Sequence, residues 1–408
     1  MRVCIHRGTK QIGGSCIELA HEGVRILLDV GLPLDGEFGD TSLLPPVTQG
    51  IAAVIVSHPH VDHYGLLHHL PPGTPVCIGA AARRIIQAAA PFTGQPLPPL
   101  DGFDLQHRTP LQIGPFRVTP YLVDHSAYDA YGLLVEAGDK RLFYSGDFRG
   151  HGRKGRLFEG FLQHPPSNID VLLMEGTTLS RLEEDDAFPS EAALEKQLLE
   201  QIRATSGLVM VYASAQNIDR VVTLYRACKQ AGRTLVIDLY TAAILEATGN
   251  DSIPQSFWPG VVLFTPERQR RQIVRLQAFD LLKRHARQRV YREGLQQLAA
   301  NAVLLFRPLH MEDLVAADVL DGARFIYSQW SGYLADEASQ KWLHWLQEAG
   351  IEMHQIHTSG HASPSDLQRF ARALNPARLV PIHSFSPEKY PQQFDNVEFR
   401  QDGEWWDV

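Results

Sequence analysis

The chain has 408 residues, of which 44% are hydrophobic and 21% charged, a composition typical of a globular protein with two or three domains. Its 38 basic residues against 46 acidic ones give a formal net charge of -8, which excludes nucleic-acid binding through bulk positive charge. The four cysteines are isolated, and the sequence has neither a membrane-length apolar run nor the pattern of a secretory signal. We therefore expect a cytoplasmic protein that does not enter the membrane.

The predicted elements begin with short β-rich segments separated by Gly and Pro, a pattern typical of packed sheets. We expect strands at Val3–His6, Ser15–Leu19, Val24–Asp29, Ala53–Ser57, Phe116–Val123, Gly132–Glu136, Arg141–Tyr144 and Val171–Glu175.

From Glu191 the pattern changes to alternating helices and strands, which predicts a parallel sheet with helical crossovers. We expect helices at Glu191–Arg203 and Ile218–Lys229, long helices across Arg268–Leu298 and a helix at Asp336–Glu348, with strands at Leu208–Tyr212, Thr234–Leu239, Ala302–Phe306 and Arg324–Tyr327. Short strands return at Ile351–His357 and Leu379–Pro381. An α/β domain of residues 177–349 is therefore predicted to interrupt a β-rich domain of residues 1–176 and 350–408.

The strongest functional signal follows the predicted strand that ends near Val56. Four potential metal ligands lie within six residues: His58, His60, Asp62 and His63. Neutral imidazole and carboxylate groups suit Zn²⁺ and similar ions. A polar loop with coincidental histidines is the alternative. It is disfavoured because two more potential ligands, His125 and Asp147, follow strand ends further along the chain.

In order and spacing these residues resemble the metallo-β-lactamase superfamily. The resemblance also includes Leu27-Leu28-Asp29-Val30-Gly31, and it implies an αββα sandwich fold. It further implies that His58, His60 and His125 bind one metal, that Asp62 and His63 bind a second, that Asp147 bridges the two and that Asp29 orients the histidines. Such sites attack esters, amides, thioesters or phosphodiesters, so the superfamily alone does not name a substrate.

Three later motifs resemble the β-CASP nucleases, in particular ribonuclease J and its relatives. Glu175 matches the acidic motif A, His361 the motif B histidine and His383 the motif C histidine. The resemblance implies an inserted β-CASP α/β domain, His383 as a further ligand of the second metal, and Glu175 as a residue that orients a histidine. Histidine at motif C accompanies the RNA-acting members, which favours RNA over DNA.

His361 also has a physical interpretation. Ser363 is a good N-cap and Pro364 suits the first helical position, so His361 precedes a helix N-terminus, where phosphate is attracted. A histidine there is placed to protonate a departing 3′-oxygen as general acid. The alternative is a surface-loop histidine.

Four residues are predicted to contact the substrate: His357 and Ser359 beside motif B, and Ser214 and Asn217 in a loop that resembles the family's Ser/Asn-rich loop. Ser and Asn also cap helices, so this interpretation stays open for the loop. The basic region between Arg268 and Arg292 either follows a nucleic-acid backbone or is a solvated helical face.

These observations predict a zinc-dependent β-CASP ribonuclease in which metal-activated hydroxide cleaves RNA phosphodiester bonds. The expected catalytic residues are Asp62, His361, Glu175 and Asp29, with two Zn²⁺ per chain or Mn²⁺ instead. The expected partner is single-stranded RNA, and a homo-oligomer is one assembly considered. The alternatives are a hydrolase of a small ester, lactone or cyclic nucleotide, and a non-catalytic RNA-binding scaffold. The sequence does not decide between exonuclease and endonuclease activity, or which RNA end is preferred.

Overall fold

The computed structural model of the protein describes residues 1–44, 50–181 and 187–408. The chain forms two compact units. The first comprises Met1–Ala90, Gln95–Phe188 and Gly360–Val408, and the second comprises Pro91–Gly94 and Pro189–Ser359. None of the helices in the described ranges is both long enough and apolar enough to cross a membrane.

The strands are numbered in chain order, and the chain passes from the first unit to the second and then returns to the first. The first unit begins with β1 (Arg2–Arg7), β2 (Cys16–His21), β3 (Val24–Leu28), β4 (Ala53–Ile55), β5 (Val76–Gly79), β6 (Asp104–Leu105), β7 (Leu111–Ile113), β8 (Phe116–Val123), β9 (Ala130–Ala137), β10 (Lys140–Tyr144) and β11 (Val171–Glu175). The second unit contributes β12 (Val209–Tyr212), β13 (Thr234–Ile237), β14 (Val261–Phe264), β15 (Arg289–Val290), β16 (Ala302–Phe306), β17 (Arg324–Tyr327) and β18 (Met353–Gln355). The chain then returns to the first unit with β19 (Arg378–Ile382) and β20 (Trp405–Asp407).

The helices are distributed in the same order. The first helices along the chain are α1 (Val61–Tyr64), α2 (Ala80–Thr93) and α3 (Gly155–Gln163). The second unit holds α4 (Glu191–Ala204), α5 (Ile218–Ala231), α6 (Leu239–Ala247), α7 (Glu267–Leu276), α8 (Phe279–His285), α9 (Arg292–Leu298), α10 (Met311–Ala316) and α11 (Glu337–Glu348). The first unit is completed by α12 (Pro364–Leu374).

The first unit is a four-layer sandwich. Its sheets have the strand orders β20-β1-β2-β3-β4-β5-β6 and β19-β11-β10-β9-β8-β7. Side chains alternate between the two faces of a strand, so Ile26 and Leu28 of β3 pack in the core between the sheets while Leu27 faces outward. The outer face of one sheet packs against α2, and α3 and α12 cover the other. The predicted αββα sandwich is confirmed.

Strand direction in the second sheet brings several loops to one edge. Strands β10, β11 and β19 are parallel, and β8 has the same direction because it and β10 are both antiparallel to β9. The residues that follow these strands therefore emerge at a common edge. They are His125, Asp147, Glu175 at the last position of β11, and His383.

The second unit has an all-parallel sheet with the order β15-β14-β13-β16-β12-β17-β18, which confirms the predicted α/β insert. The prediction of long helices across Arg268–Leu298 was wrong. Three shorter helices occupy this region, because Gln277 adopts a left-handed conformation (φ 52°) that ends α7, and β15 separates α8 from α9.

The chain passes from the first unit to the second after Phe188 and returns to the first unit after Ser359. The predicted domain boundaries lie at 176/177 and 349/350. The second boundary lies later than predicted because β18 pairs with β17 in the sheet of the second unit. The division into two functional domains stays a prediction.

Candidate metal centre

The segment from His58 to His63 is held in place by residues that lie next to the ends of β2 and β3. Backbone hydrogen bonds join Ser15 N to Asp62 O (3.2 Å) and Val30 N to His63 O (2.9 Å). A Cβ added to Gly31 would lie 1.7 Å from the carbonyl oxygen of Asp62, so only glycine permits this approach. This close packing fixes α1, a single helical turn that carries Asp62 and His63.

One cluster consists of three histidines from two loops. The Nδ1 atom of His60 lies 3.2 Å from Nε2 of His58 and 3.2 Å from Nε2 of His125. Burial, together with the neighbouring histidines, holds the pKa values of His58 and His125 well below their usual range. Burial lowers the pKa of His60 to about 4. Three neutral imidazoles that converge on one point are a donor set for a cation.

A second cluster combines Asp62, His63, Asp147 and His383. Oδ2 of Asp147 lies 3.3 Å from Nε2 of His63 and 3.7 Å from Nε2 of His383. The same oxygen lies 3.8 Å from Nε2 of His58, so Asp147 connects the two clusters. Although burial opposes it, the carboxylates of Asp147, Asp62 and Asp29 hold the pKa of His63 well above its usual value.

The unsatisfied atoms of this second cluster indicate what belongs there. Nε2 of His63, Nε2 of His383 and Oδ1 of Asp147 are buried and have no hydrogen-bond partner among the residues that the structure describes. Buried polar atoms without partners cost free energy, and here they point into one mixed nitrogen and oxygen donor set. The residues present therefore fit divalent cations such as Zn²⁺.

Asp29 is a hydrogen-bond acceptor at the base of the site. It is fully buried and accepts hydrogen bonds from Ser57 N (2.7 Å), Ser57 Oγ (2.8 Å), His63 Nδ1 (2.8 Å) and the Tyr144 hydroxyl (2.5 Å). Its φ of 58° is rare for a residue with a side chain, and several contacts hold it there. By accepting from Nδ1, Asp29 leaves Nε2 of His63 as the ligand atom.

His383 is positioned in a comparable way by residues distant in sequence. Its Nδ1 lies 2.9 Å from Oγ of Ser15, and its backbone N donates to the carbonyl of Gly8 (2.8 Å). Its φ is 49°, a second left-handed residue at the site. Ser15 and Tyr144 carry no recognisable motif, so sequence reasoning missed both as supporting residues.

Glu175 and His361 form a pair beside Asp147. Nδ1 of His361 lies 3.0 Å from Oε2 of Glu175 and 3.7 Å from Oδ2 of Asp147. The other oxygen of Glu175 accepts from Phe148 N (2.9 Å), which fixes the carboxylate. Burial disfavours a charged imidazole, but Glu175 and Asp147 outweigh it and raise the pKa of His361 to about 9.

A buried ion pair next to His125 was also missed. The carboxylate of Asp124 lies 3.4 Å from Nε of Arg149 and accepts from Gly152 N (2.8 Å), with Asp124 and Arg149 both fully buried. A Cβ on Gly152 would come within 2.4 Å of this carboxylate, so the glycine makes room for the contact. Nothing in the sequence around Arg149 signals that partner.

The four predicted substrate contacts all lie in the second unit. Asn217 caps α5, accepting from Arg220 N (3.1 Å), and the exposed Ser214 accepts from Gln216 N through Oγ (3.2 Å). These contacts are those of a helix-capping loop. His357 and Ser359 are half-buried and follow β18. The structure thus brings together the predicted metal ligands with Asp29, Glu175 and His361, all of which belong to the first unit.

Two family models match the sequence. The model described as a beta-lactamase superfamily domain covers residues 24–213, and one described as a Zn-dependent metallo-hydrolase RNA specificity domain covers residues 350–385.

Similar curated proteins and a solved structure were also found. A ribonuclease J of Sinorhizobium meliloti is 22% identical over 88% of this chain and 63% of its own length. An RNase J-like protein of Methanocaldococcus jannaschii is 27% identical over 60% of this chain and 59% of its own. The first curated relatives are matched over only 43% to 63% of their length. A crystal structure of a protein of unknown function from Enterococcus faecalis has the same fold, with a TM-score of 0.80, 21% identity and 99% coverage of both chains.

Proposed function

Because the chain belongs to the metallo-β-lactamase superfamily, and within it to the ribonuclease J-like β-CASP family, we propose that it is a zinc-dependent hydrolase that cleaves RNA phosphodiester bonds. The observation that carries the proposal is the convergence of two metal-ligand clusters on Asp147, with the Glu175–His361 pair directly beside it. Two cations can stabilise the attacking and the leaving oxygen of a phosphodiester, and an acid group beside them can protonate the leaving oxygen.

The ligand assignment follows the two clusters. We propose that His58, His60 and His125 hold one Zn²⁺, that Asp62, His63 and His383 hold the other, and that Asp147 contacts both. Mn²⁺ is the alternative ion. When bound, such a pair of ions lowers the pKa of water and neutralises negative charge on a phosphate. Asp29 and Ser15 contribute by fixing Nε2 of His63 and of His383 as the ligand atoms.

His361 is the proposed general acid. Glu175 accepts from its Nδ1 and favours the protonated imidazole, so Nε2 carries the proton that is transferred to the departing 3′-oxygen. The helix that begins after Ser363 directs backbone N–H groups toward the same region of the chain, which favours a phosphate there.

The finer parts of the proposal concern the substrate and its setting. We propose single-stranded RNA as the substrate, with His357, Ser359, Ser214 and Asn217 as contacts in the second unit. Buried, unpaired cysteines are compatible with the cytoplasmic location that we also propose. A homo-oligomer stays open, to be decided by the mass of the protein in solution.

The test measures cleavage by protein of known metal content. Single-stranded RNA with a 5′-monophosphate, the same RNA with a 5′-hydroxyl, and matched DNA are each incubated with wild type and with the Asp62→Ala, His63→Ala variant. We expect RNA cleavage by wild type only, and product sizes then separate exonuclease from endonuclease activity.

The matched control is the His344→Ala, Glu348→Ala variant, which removes a histidine and a carboxylate from an exposed pair on α11. It is expected to cleave like wild type. No RNA cleavage by protein that holds two metals per chain would overturn the proposal, and ester, lactone and cyclic-nucleotide substrates would then be assayed.

A further inference from the structure

Segment 267–292 of the second unit differs in charge from the rest of the chain. It contains nine arginines and lysines against two acidic residues, a net charge of +7 in a chain whose formal net charge is -8. The segment comprises α7, α8 and β15 and ends at the first residue of α9. The positive charge of this protein is therefore concentrated locally.

Part of this charge is not neutralised by neighbours. Exposed Arg268, Arg271 and Arg284 each form an ion pair, with Glu312, Glu267 and Glu246 respectively. The equally exposed Arg275, Lys283 and Arg287 have no acidic partner within ion-pair distance in the described part of the chain. Three cations thus remain available for an anionic ligand.

Large apolar side chains are exposed between these cations. Val274 and Leu276 at the end of α7, Phe279 at the start of α8 and Tyr291 are 62%, 46%, 55% and 56% exposed. The left-handed turn at Gln277 brings the ends of the two helices together, with Ala278 N donating to Ile273 O (3.0 Å).

Aromatic rings extend the surface on the side of β15. The guanidinium of Arg289 lies 4.7 Å from the ring centroid of Tyr291. Gln288 donates to the carbonyl of Phe257 (2.8 Å), which brings another aromatic residue, 53% exposed, next to the segment. Exposed rings interleaved with unpaired cations are the combination that binds single-stranded nucleic acid, because bases stack on rings while phosphates pair with cations.

We propose that this surface, formed by Arg275, Phe279, Lys283, Arg287 and Tyr291, binds single-stranded RNA. The proposal rests on the proposed function for its choice of RNA among polyanions. Charge complementarity supports it, since local net charge of +7 attracts a polyanion that the remainder of the chain repels. A membrane surface is the alternative that the test includes, since basic and apolar side chains also favour anionic lipid.

The test measures binding in the Asp62→Ala, His63→Ala background, so that no RNA is cut and the result does not depend on catalysis. Fluorescence anisotropy gives the affinity for labelled uridine strands of about 30 and about 5 nucleotides. With Arg275→Glu, Lys283→Glu and Arg287→Glu combined, we expect at least about a tenfold loss of affinity for the long strand. The slope of log affinity against log salt concentration is negative, and its magnitude should decrease by about 2, because three phosphate contacts are lost.

The matched control reverses three exposed lysines elsewhere on the second unit: Lys196, Lys229 and Lys341. It changes the net charge equally and should retain most of the affinity. Phe279→Ser should weaken binding about tenfold with an unchanged salt slope, since stacking is not ionic. If the charge-reversal variant does not fold, as judged by thermal unfolding, the glutamine versions of the same three residues replace it.

Equal losses in the two triple variants would overturn the proposal, as would an unchanged affinity for the long strand. Loss of binding to phosphatidylserine vesicles without loss of RNA binding would also overturn it, in favour of a membrane-facing role. A remaining outcome is that the wild type does not cleave RNA while the Arg275, Lys283 and Arg287 triple variant loses RNA binding as expected. That result would contradict the proposed function but support this surface.

Discussion

At the scale of single residues, Asp29 connects the fold to the candidate metal centre. Its carboxylate accepts from a backbone amide, two hydroxyl groups and an imidazole, so both oxygens are fully engaged. Replacing either oxygen by an amide NH2 group leaves donors facing a donor. The orientation of His63 therefore depends directly on this one side chain.

We expect Asp29→Asn to weaken metal binding at the cluster of His63 by about 10-fold to 100-fold, since it disturbs the residue that orients a ligand. Competition with a chromogenic chelator measures the affinity of both sites. The exposed Asp35→Asn is the control and should bind metal like wild type. Unchanged affinity in Asp29→Asn would show that His63 does not need this contact.

His310 gives a pH dependence in the second unit, away from the candidate ligands. It is fully buried, its Nδ1 accepts from Arg307 N (2.9 Å), and burial lowers its pKa to about 4. As the pH falls below about 6.5, the unfolded chain takes up this proton before the folded one. The contribution of neutral His310 to stability is thus complete above pH 6.5 and is lost as the pH falls toward 4.

We expect this contribution to be on the order of 3 kcal/mol. Urea unfolding at pH 7 and pH 4.5 is compared between wild type and His310→Asn, which keeps an acceptor for Arg307 N but does not titrate. The free energy of unfolding should decrease less in the variant. Identical pH dependence in both proteins would contradict the buried neutral imidazole.

The pattern His-x-His-x-Asp-His after a strand indicated four of the candidate ligands, and the family resemblance added His383. Neither could predict Ser15 or Tyr144. Ser15 lies 368 positions from its partner His383, and its hydroxyl is one of many in the sequence. Contacts of this kind arise from the tertiary fold, and no local pattern encodes them.

At the scale of elements, α12 begins as the sequence predicts. Ser363 accepts from Asp366 N (3.2 Å), and Pro364 occupies the first turn. A serine N-cap also begins α4, where Ser190 accepts from Ala193 N (3.2 Å) and Glu191 takes the first helical position. The two caps are locally alike, but only the first stands two residues after His361.

We expect Ser363→Ala and Ser190→Ala each to lower the free energy of unfolding by about 1 kcal/mol, measured by urea denaturation. Cleavage of RNA should decrease only in Ser363→Ala, because that cap fixes the chain next to the general acid. Equal activity in both variants would show that His361 is held by Glu175 alone.

Helix periodicity predicted the wrong helix lengths in one region, where a turn that contains neither glycine nor proline ends a helix. The segment from Arg268 to Leu298 has the composition of long helices, yet Gln277 ends α7 in a left-handed conformation that few side chains adopt. Ile273 and His285 are buried on either side of that corner, and such burial is not visible in sequence.

At the scale of the whole molecule, the proposed metals are expected to stabilise the first unit selectively. Nε2 of His63, Nε2 of His383 and Oδ1 of Asp147 have no hydrogen-bond partner among the described residues, and both ligand clusters belong to the first unit. We expect a chelator to lower the unfolding temperature of the first unit. Metal that binds only the folded protein raises the free energy of unfolding by about 4 kcal/mol per site when the free metal concentration exceeds the dissociation constant a thousandfold.

Calorimetry with and without chelator measures the effect. The Asp147→Ala variant should respond much less than wild type, since Asp147 connects both clusters. A chelator that leaves both proteins unchanged would contradict the proposed sites.

The order of the ligands along the chain has a consequence for synthesis. A ribosome makes His58, His125 and Asp147 first and then residues 189–359 of the second unit. Only afterwards does it make His383 and the strands β19 and β20, which complete both sheets of the first unit. The last ligand therefore becomes available only after the second unit has been made. A nascent chain that has not yet reached His383 holds an incomplete set of donors, so the proposed second metal site cannot form before the second unit has been made.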